Sequence, residues 1–117
     1  MKISELTRKQ QVALVAAMEI MAMSDGVIEE TEQQTINRVV EELGDDTYRD
    51  LMNDADEILP DIEKLKSLMK EITDQDARET IYGIIMQEAM LSPTVNHIQT
   101  QVLDWLKENW NIVVEEQ

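Results

Sequence analysis

From Val12 to Met23 the chain reads Val-Ala-Leu-Val-Ala-Ala-Met-Glu-Ile-Met-Ala-Met, an apolar run broken only by Glu19. Wound as a helix from about Thr7 to Ser24, it keeps a narrow polar stripe. Arg8, Gln11 and Glu19 fall on one side with small Ala22. Val12, Leu14, Ala16, Ala17, Met18, Ile20, Met21 and Met23 occupy the rest of the circumference. A helix that is apolar over most of its surface has to be central, so the remaining chain must wrap it. Thr7-x-x-Gln10 supplies a capping box at its start, with the hydroxyl taking an orphan N–H and the amide reaching back. The run is too short to span a bilayer.

The wrapping material is helical as well. Gly occurs three times and Pro twice, and no segment alternates with period two for long. A second helix starts near Glu29 or Glu30 and stops at Leu43, with Ile36, Val39, Val40 and Leu43 on one face and Gly44 as the C′ residue. Asp45 or Asp46 opens a short third helix using Tyr48, Leu51, Met52 and Ala55. After Pro60, Asp61 begins a fourth with Ile62, Leu65, Leu68, Met69 and Ile72 on one face. Thr73-x-x-Asp76 opens a fifth, to about Leu91, and Ser92-Pro93 marks the next corner. Asn96-x-x-Gln99 caps a sixth carrying Val102, Leu103, Trp105, Leu106 and Trp110. The expected fold is all-α, one compact bundle of about six to seven helices. No linker divides residues 1–117, so a single domain is expected.

The charge balance narrows the partners. Formal net charge is −15. Affinity for nucleic acid rests mainly on Lys and Arg neutralising phosphates, so this chain has the wrong sign for nucleic acid or an anionic membrane. Cations and proteins with a basic surface fit better. Cys is absent, which excludes disulfides and thiolate metal sites. Phe is also absent, so the core is aliphatic with eight Met as adaptable filler. Met1-Lys2-Ile3-Ser4-Glu5 lacks the order of a signal peptide, and the expected location is cytoplasmic without direct membrane insertion.

The central helix runs into an acidic corner, Ser24-Asp25-Gly26-Val27-Ile28-Glu29-Glu30-Thr31-Glu32. A degraded copy lies downstream. Placing Asp25 on Ser92, a shift of 67 residues, carries Leu14 onto Ile81, Ala17 onto Ile84 and Met18 onto Ile85. The same shift carries Ile36 onto Leu103, Val39 onto Leu106 and Leu43 onto Trp110. Two related helix hairpins thus flank a middle helix pair. The carboxylates are not repeated, because Asp25 falls on Ser92, Gly26 on Pro93, Glu29 on Asn96 and Glu32 on Gln99.

The pattern Asp25-Gly26-x-Ile28-x-x-x-Glu32, at the end of a helix rich in small and apolar residues, resembles the tellurite-resistance TerB family. It also resembles the TerB-like domain of DnaJ-type membrane co-chaperones. The resemblance implies a small all-helical fold with two acidic corners that bind cations or partners. It further implies a link to tellurite and other stress responses, within a larger assembly near the membrane. The second corner, Ser92 to Gln99, departs from the pattern.

Each candidate has a plainer counterpart. Asp25 and Glu32, with Glu29 and Glu30 behind them, offer carboxylates to a hard divalent cation such as Ca²⁺ or Mg²⁺. The spacing is not that of an EF-hand. The plainer reading makes Gly26 a turn residue, Asp25 a partner of loop amides and Glu32 a helix cap. Glu88 shares a stripe with Ala77, Ile81, Ile84 and Leu91, and His97 beyond the next turn is its candidate partner. A structural hydrogen bond is the simpler role for that pair. Met residues at core spacing are core by default, whereas an exposed Trp105 or Trp110 would mark a partner surface. The acidic stretch from Asp45 to Glu63 is a solvated face or a docking face for a basic partner.

The sequence therefore leads to a non-enzymatic acidic module with a divalent cation at the Asp25–Glu32 corner. A metal-free interaction scaffold is the alternative, and homo-oligomerisation stays open. A metal-dependent hydrolase using Glu88 or Glu32 is the enzymatic rival. It lacks a His cluster, a nucleophile arrangement and a phosphate loop.

Overall fold

A computed structural model describes residues 2–23, 30–58, 61–91 and 97–110. Within them, the side chains of residues 21–23, 30–33, 35, 88–91 and 97–99 are not described. The described residues form six α-helices and one 3-10 turn, with no strand among them. The helices are α1 (Arg8–Met23), α2 (Glu30–Leu43), α3 (Asp45–Ile58), α4 (Ile62–Lys70), α5 (Gln75–Leu91) and α6 (His97–Trp110), and the turn is Ile3–Glu5.

α1 is the central helix that its apolar circumference requires. Ala13 to Met18 are completely buried, six consecutive residues with no solvent-facing side. Among the described residues it packs against α3, α4 and α5. Three of the six are Ala, so neighbouring backbones approach closely, and Leu14 and Met18 fill the space between them. Each fully buried Leu, Ile or Met side chain is worth about 1.5–3 kcal/mol relative to exposure. The capping box at its start is made: Gln10 N–H donates to Thr7 Oγ1 at 3.2 Å, and Thr7 N–H donates to Gln10 Oε1 at 2.8 Å.

Several matched pairs of the two hairpins share their burial, whereas Ile36 is core against a partly buried Leu103, and Leu43 is partly buried against a core Trp110. Leu14 and Ile81, Met18 and Ile85, and Val39 and Leu106 are all core. The packing around them differs. α5 lies against α6, whereas α2 lies against α5, α3 and the Ile3–Glu5 turn.

Three local expectations change. The third helix is longer than its apolar positions suggest, with 14 residues, because Asp45 and Asp46 favour its N-terminus and Gly44 delivers the chain directly into it. The fourth helix stops at Lys70, so Ile72 is buried from beyond the helix end. The fifth is opened by Asp74 in place of Thr73. Its carboxylate accepts from Asp76 N–H at 3.2 Å, and its carbonyl accepts from Arg78 N–H at 3.0 Å. Asp is the stronger cap where both are on offer. Asp61 caps α4 as expected, accepting from the N–H groups of Glu63 and Lys64.

Candidate functional site

Asp25 and Glu29 lie outside the described residues. Glu30 and Glu32 belong to the first turn of α2, Glu88 to the last turn of α5, and His97 is the first residue of α6. The side chains of these four also lie outside the description, so the Asp25–Glu32 set and the Glu88–His97 pair have no geometry to report. Among the described residues no group of three or more His, Asp or Glu stands close enough to hold a metal ion.

The structure draws attention instead to Glu19, on the α1 segment that leads into the corner. It is half-buried, and burial pushes its carboxyl above the ordinary value, with the charge of Asp56 on α3 adding to the rise. An ionised carboxylate loses hydration there and gains a like charge. Its signal in the sequence was plain, since it is the one charge in the apolar run.

The outer surface of α3 is acidic. Asp46, Asp50, Asp56 and Glu57 are exposed, joined at the α2–α3 junction by exposed Glu41, Glu42 and Asp45. Among the described residues only three ion pairs form: Arg8 with Asp54 at 2.7 Å, Lys9 with Glu71 at 3.3 Å, and Lys66 with Glu63 at 3.8 Å. None of the three involves those seven carboxylates. Their field therefore projects into solvent, with the exposed cation Arg49 as the only opposite charge along α3.

The two Trp residues have different fates. Trp110 is buried, and its indole N–H donates to Met69 O at 3.2 Å. Trp105 is only partly buried, with Lys66 Nζ 5.9 Å from its ring centroid. Met18 and Met69 are core, and Met52 and Met86 pack against it. The described methionines therefore fill space in or against the core. Tyr82 is also buried, and its phenol is pushed above the ordinary range by burial and by Asp104.

Comparison with protein-family models, with curated proteins and with solved structures yields no match to any of them. No helix among the described residues is long and apolar enough to cross a membrane.

Proposed function

We propose that this chain is a non-enzymatic, acidic helical interaction module that docks the basic surface of a protein partner. The observation that carries the reading is the α3 face, where Asp46, Asp50, Asp56 and Glu57 are exposed without an ion pair among the described residues. Like charges kept together on a rigid helix steer an oppositely charged partner and set the salt dependence of its association. The resemblance of Asp25-Gly26-x-Ile28-x-x-x-Glu32 to the TerB pattern adds a stress-response setting, tellurite resistance included, in the cytoplasm. The test is fluorescence anisotropy with a labelled decalysine peptide at two salt concentrations. Replacing the four carboxylates by their amides should weaken binding and flatten its salt dependence. Unchanged affinity in that variant would remove the α3 face from the proposal.

A second reading places a divalent cation, Ca²⁺ or Mg²⁺, at the Asp25–Glu32 corner. It is favoured by the carboxylates that Asp25, Glu29, Glu30 and Glu32 bring within eight residues, in the pattern that resembles TerB. A hard divalent cation would take these carboxylates as oxygen ligands. Calorimetric titration of Ca²⁺, Mg²⁺, Mn²⁺ and Zn²⁺ into the wild type and into Asp25→Ala/Glu32→Ala decides it. Saturable heat in the wild type alone supports the site. No saturable heat, or identical heats in both proteins, leaves the metal-free scaffold.

A further inference from the structure

A cleft of about 350 Å³ lies between the Ile3–Glu5 turn, α2 and α5, on the later turns of the helix that follows the acidic corner. That volume falls in the lower part of the range of small-ligand sites. Its charged lining is Lys2, Arg38, Glu42 and Glu79, two of each sign. In a chain with 25 acidic and ten basic residues, two cations on one cleft are unusual company. Neither Lys2 nor Arg38 forms an ion pair among the described residues.

Arg38 is exposed and reaches across the cleft. Its Nη1 donates to Gln87 Oε1 at 3.1 Å, which ties α2 to α5 across the cleft, and its remaining guanidinium donors have no partner among the described residues. Gly83 also lines the cleft, in the middle of a 17-residue helix where Gly weakens the structure relative to Ala. Its own packing does not demand the missing side chain, because a Cβ there would meet nothing within 4 Å. The effect of Gly83 is to keep the α5 wall of the cleft open.

We propose that this cleft binds a small zwitterion of the α-amino-acid or dipeptide class. The ligand carboxylate is taken by Arg38 and Lys2, and its ammonium by Glu42 and Glu79. A guanidinium with open donors offers a carboxylate paired, charge-assisted hydrogen bonds. The balanced lining disfavours the alternatives. A polyanion such as a nucleotide triphosphate meets Glu42 and Glu79, and a bare cation meets Arg38 and Lys2. Among the described residues Glu79 is engaged only by the exposed amide of Gln75, at 3.3 Å, which a ligand ammonium readily displaces.

The test is a heteronuclear NMR titration of the full chain with glycylglycine, beside acetate and methylammonium as half-ligands. Saturable shifts are expected at the backbone amides of Arg38, Gly83 and Gln87 with glycylglycine and with neither half-ligand. Arg38→Gln should weaken binding roughly tenfold or more, as the loss of a charge-assisted pair requires. Gly83→Leu should abolish it by filling the cleft. Leu is the better helix former, and circular dichroism will show the fold retained. The proposal is overturned by the absence of saturable shifts, by an equal response to acetate alone, or by undiminished binding in folded Gly83→Leu.

Discussion

The indole N–H of Trp110, the last residue of α6, donates to the carbonyl oxygen of Met69 in the last turn of α4 across 3.2 Å. The end of a helix leaves carbonyls without intrahelical partners, and a buried Trp needs an acceptor. Each group answers the other. Arg78 of α5 completes the closure. Its Nε donates to Ile72 O at 2.7 Å, and its guanidinium lies 5.8 Å from the Trp110 ring centroid. Three helices thus meet on one side chain.

Trp110→Phe should therefore cost about 1 kcal/mol for the lost hydrogen bond, plus a smaller packing loss. Met69 O keeps a second donor, Ile72 N–H at 3.1 Å, so it is not orphaned. Trp110→Ala should cost roughly 3–5 kcal/mol, since it also opens a cavity under Arg78. Urea denaturation of the two variants separates the contributions. Equal losses in both would mean that the indole N–H, not the ring volume, dominates.

Gly44 joins α2 to α3 with no intervening loop. At φ +90° it donates its N–H to Val40 O at 2.7 Å and accepts from Tyr48 N–H at 3.0 Å, ending one helix and starting the next. Gly44→Ala should destabilise by roughly 1–2 kcal/mol, the cost of a left-handed L-residue. The cost is one of backbone conformation alone, because a Cβ at this position meets nothing within 4 Å. Gly44→Asn should recover part of it, since Asn tolerates this region better. An Asn variant less stable than the Ala variant would contradict the backbone explanation.

The Arg8–Asp54 pair looks substantial on paper, with Nη2 and Nε both directed at one carboxylate oxygen at 2.7 and 3.2 Å. Both side chains remain about half exposed, at 52% and 48%. Solvent screening then limits its worth to roughly 0.2–1 kcal/mol. A double-mutant cycle of Arg8→Ala and Asp54→Ala should return a coupling in that range, shrinking as salt is raised. A larger, salt-insensitive coupling would show that the pair is effectively buried.

What could be read from the sequence divides along physical lines. The central place of α1 followed from its apolar circumference, and Ala13 to Met18 are indeed wholly buried. Gly44 as a helix stop and Thr7 with Gln10 as a capping box were legible because they depend on a few adjacent residues. The choice between Thr73 and Asp74 as the start of α5 was not legible, since both can cap and tertiary placement decides. The difference between Trp105 and Trp110 was likewise hidden. Both fit the apolar face of α6, and only the end of α4 distinguishes them. Of the candidate site, the acidic character of α3 was plain from composition. The cleft at Arg38 was not, because its walls come from three separate segments.

Glu19 gives the clearest pH dependence. Burial, and then the charge of Asp56, raise its carboxyl above the ordinary 4.5, so the folded protein holds this proton more tightly than the unfolded chain does. The sign is thus opposite to that of a carboxylate stabilised by a cation. Well below the unfolded value the group is protonated in both states and carries no penalty. As the pH rises through the window between the unfolded and folded values, the folded state must give up a proton that it favours, and stability declines. Above that window the penalty is constant. Glu19→Gln keeps the shape of the neutral acid and removes the titration. The variant and wild type should be nearly equal in stability at about pH 4, with the variant increasingly the more stable towards about pH 7. Asp56→Asn should reproduce a smaller part of the same gain, because its charge is the lesser of the two causes. Urea unfolding across this pH range measures the difference directly, and parallel curves for Glu19→Gln and wild type would show that the carboxyl is not held up in the folded state.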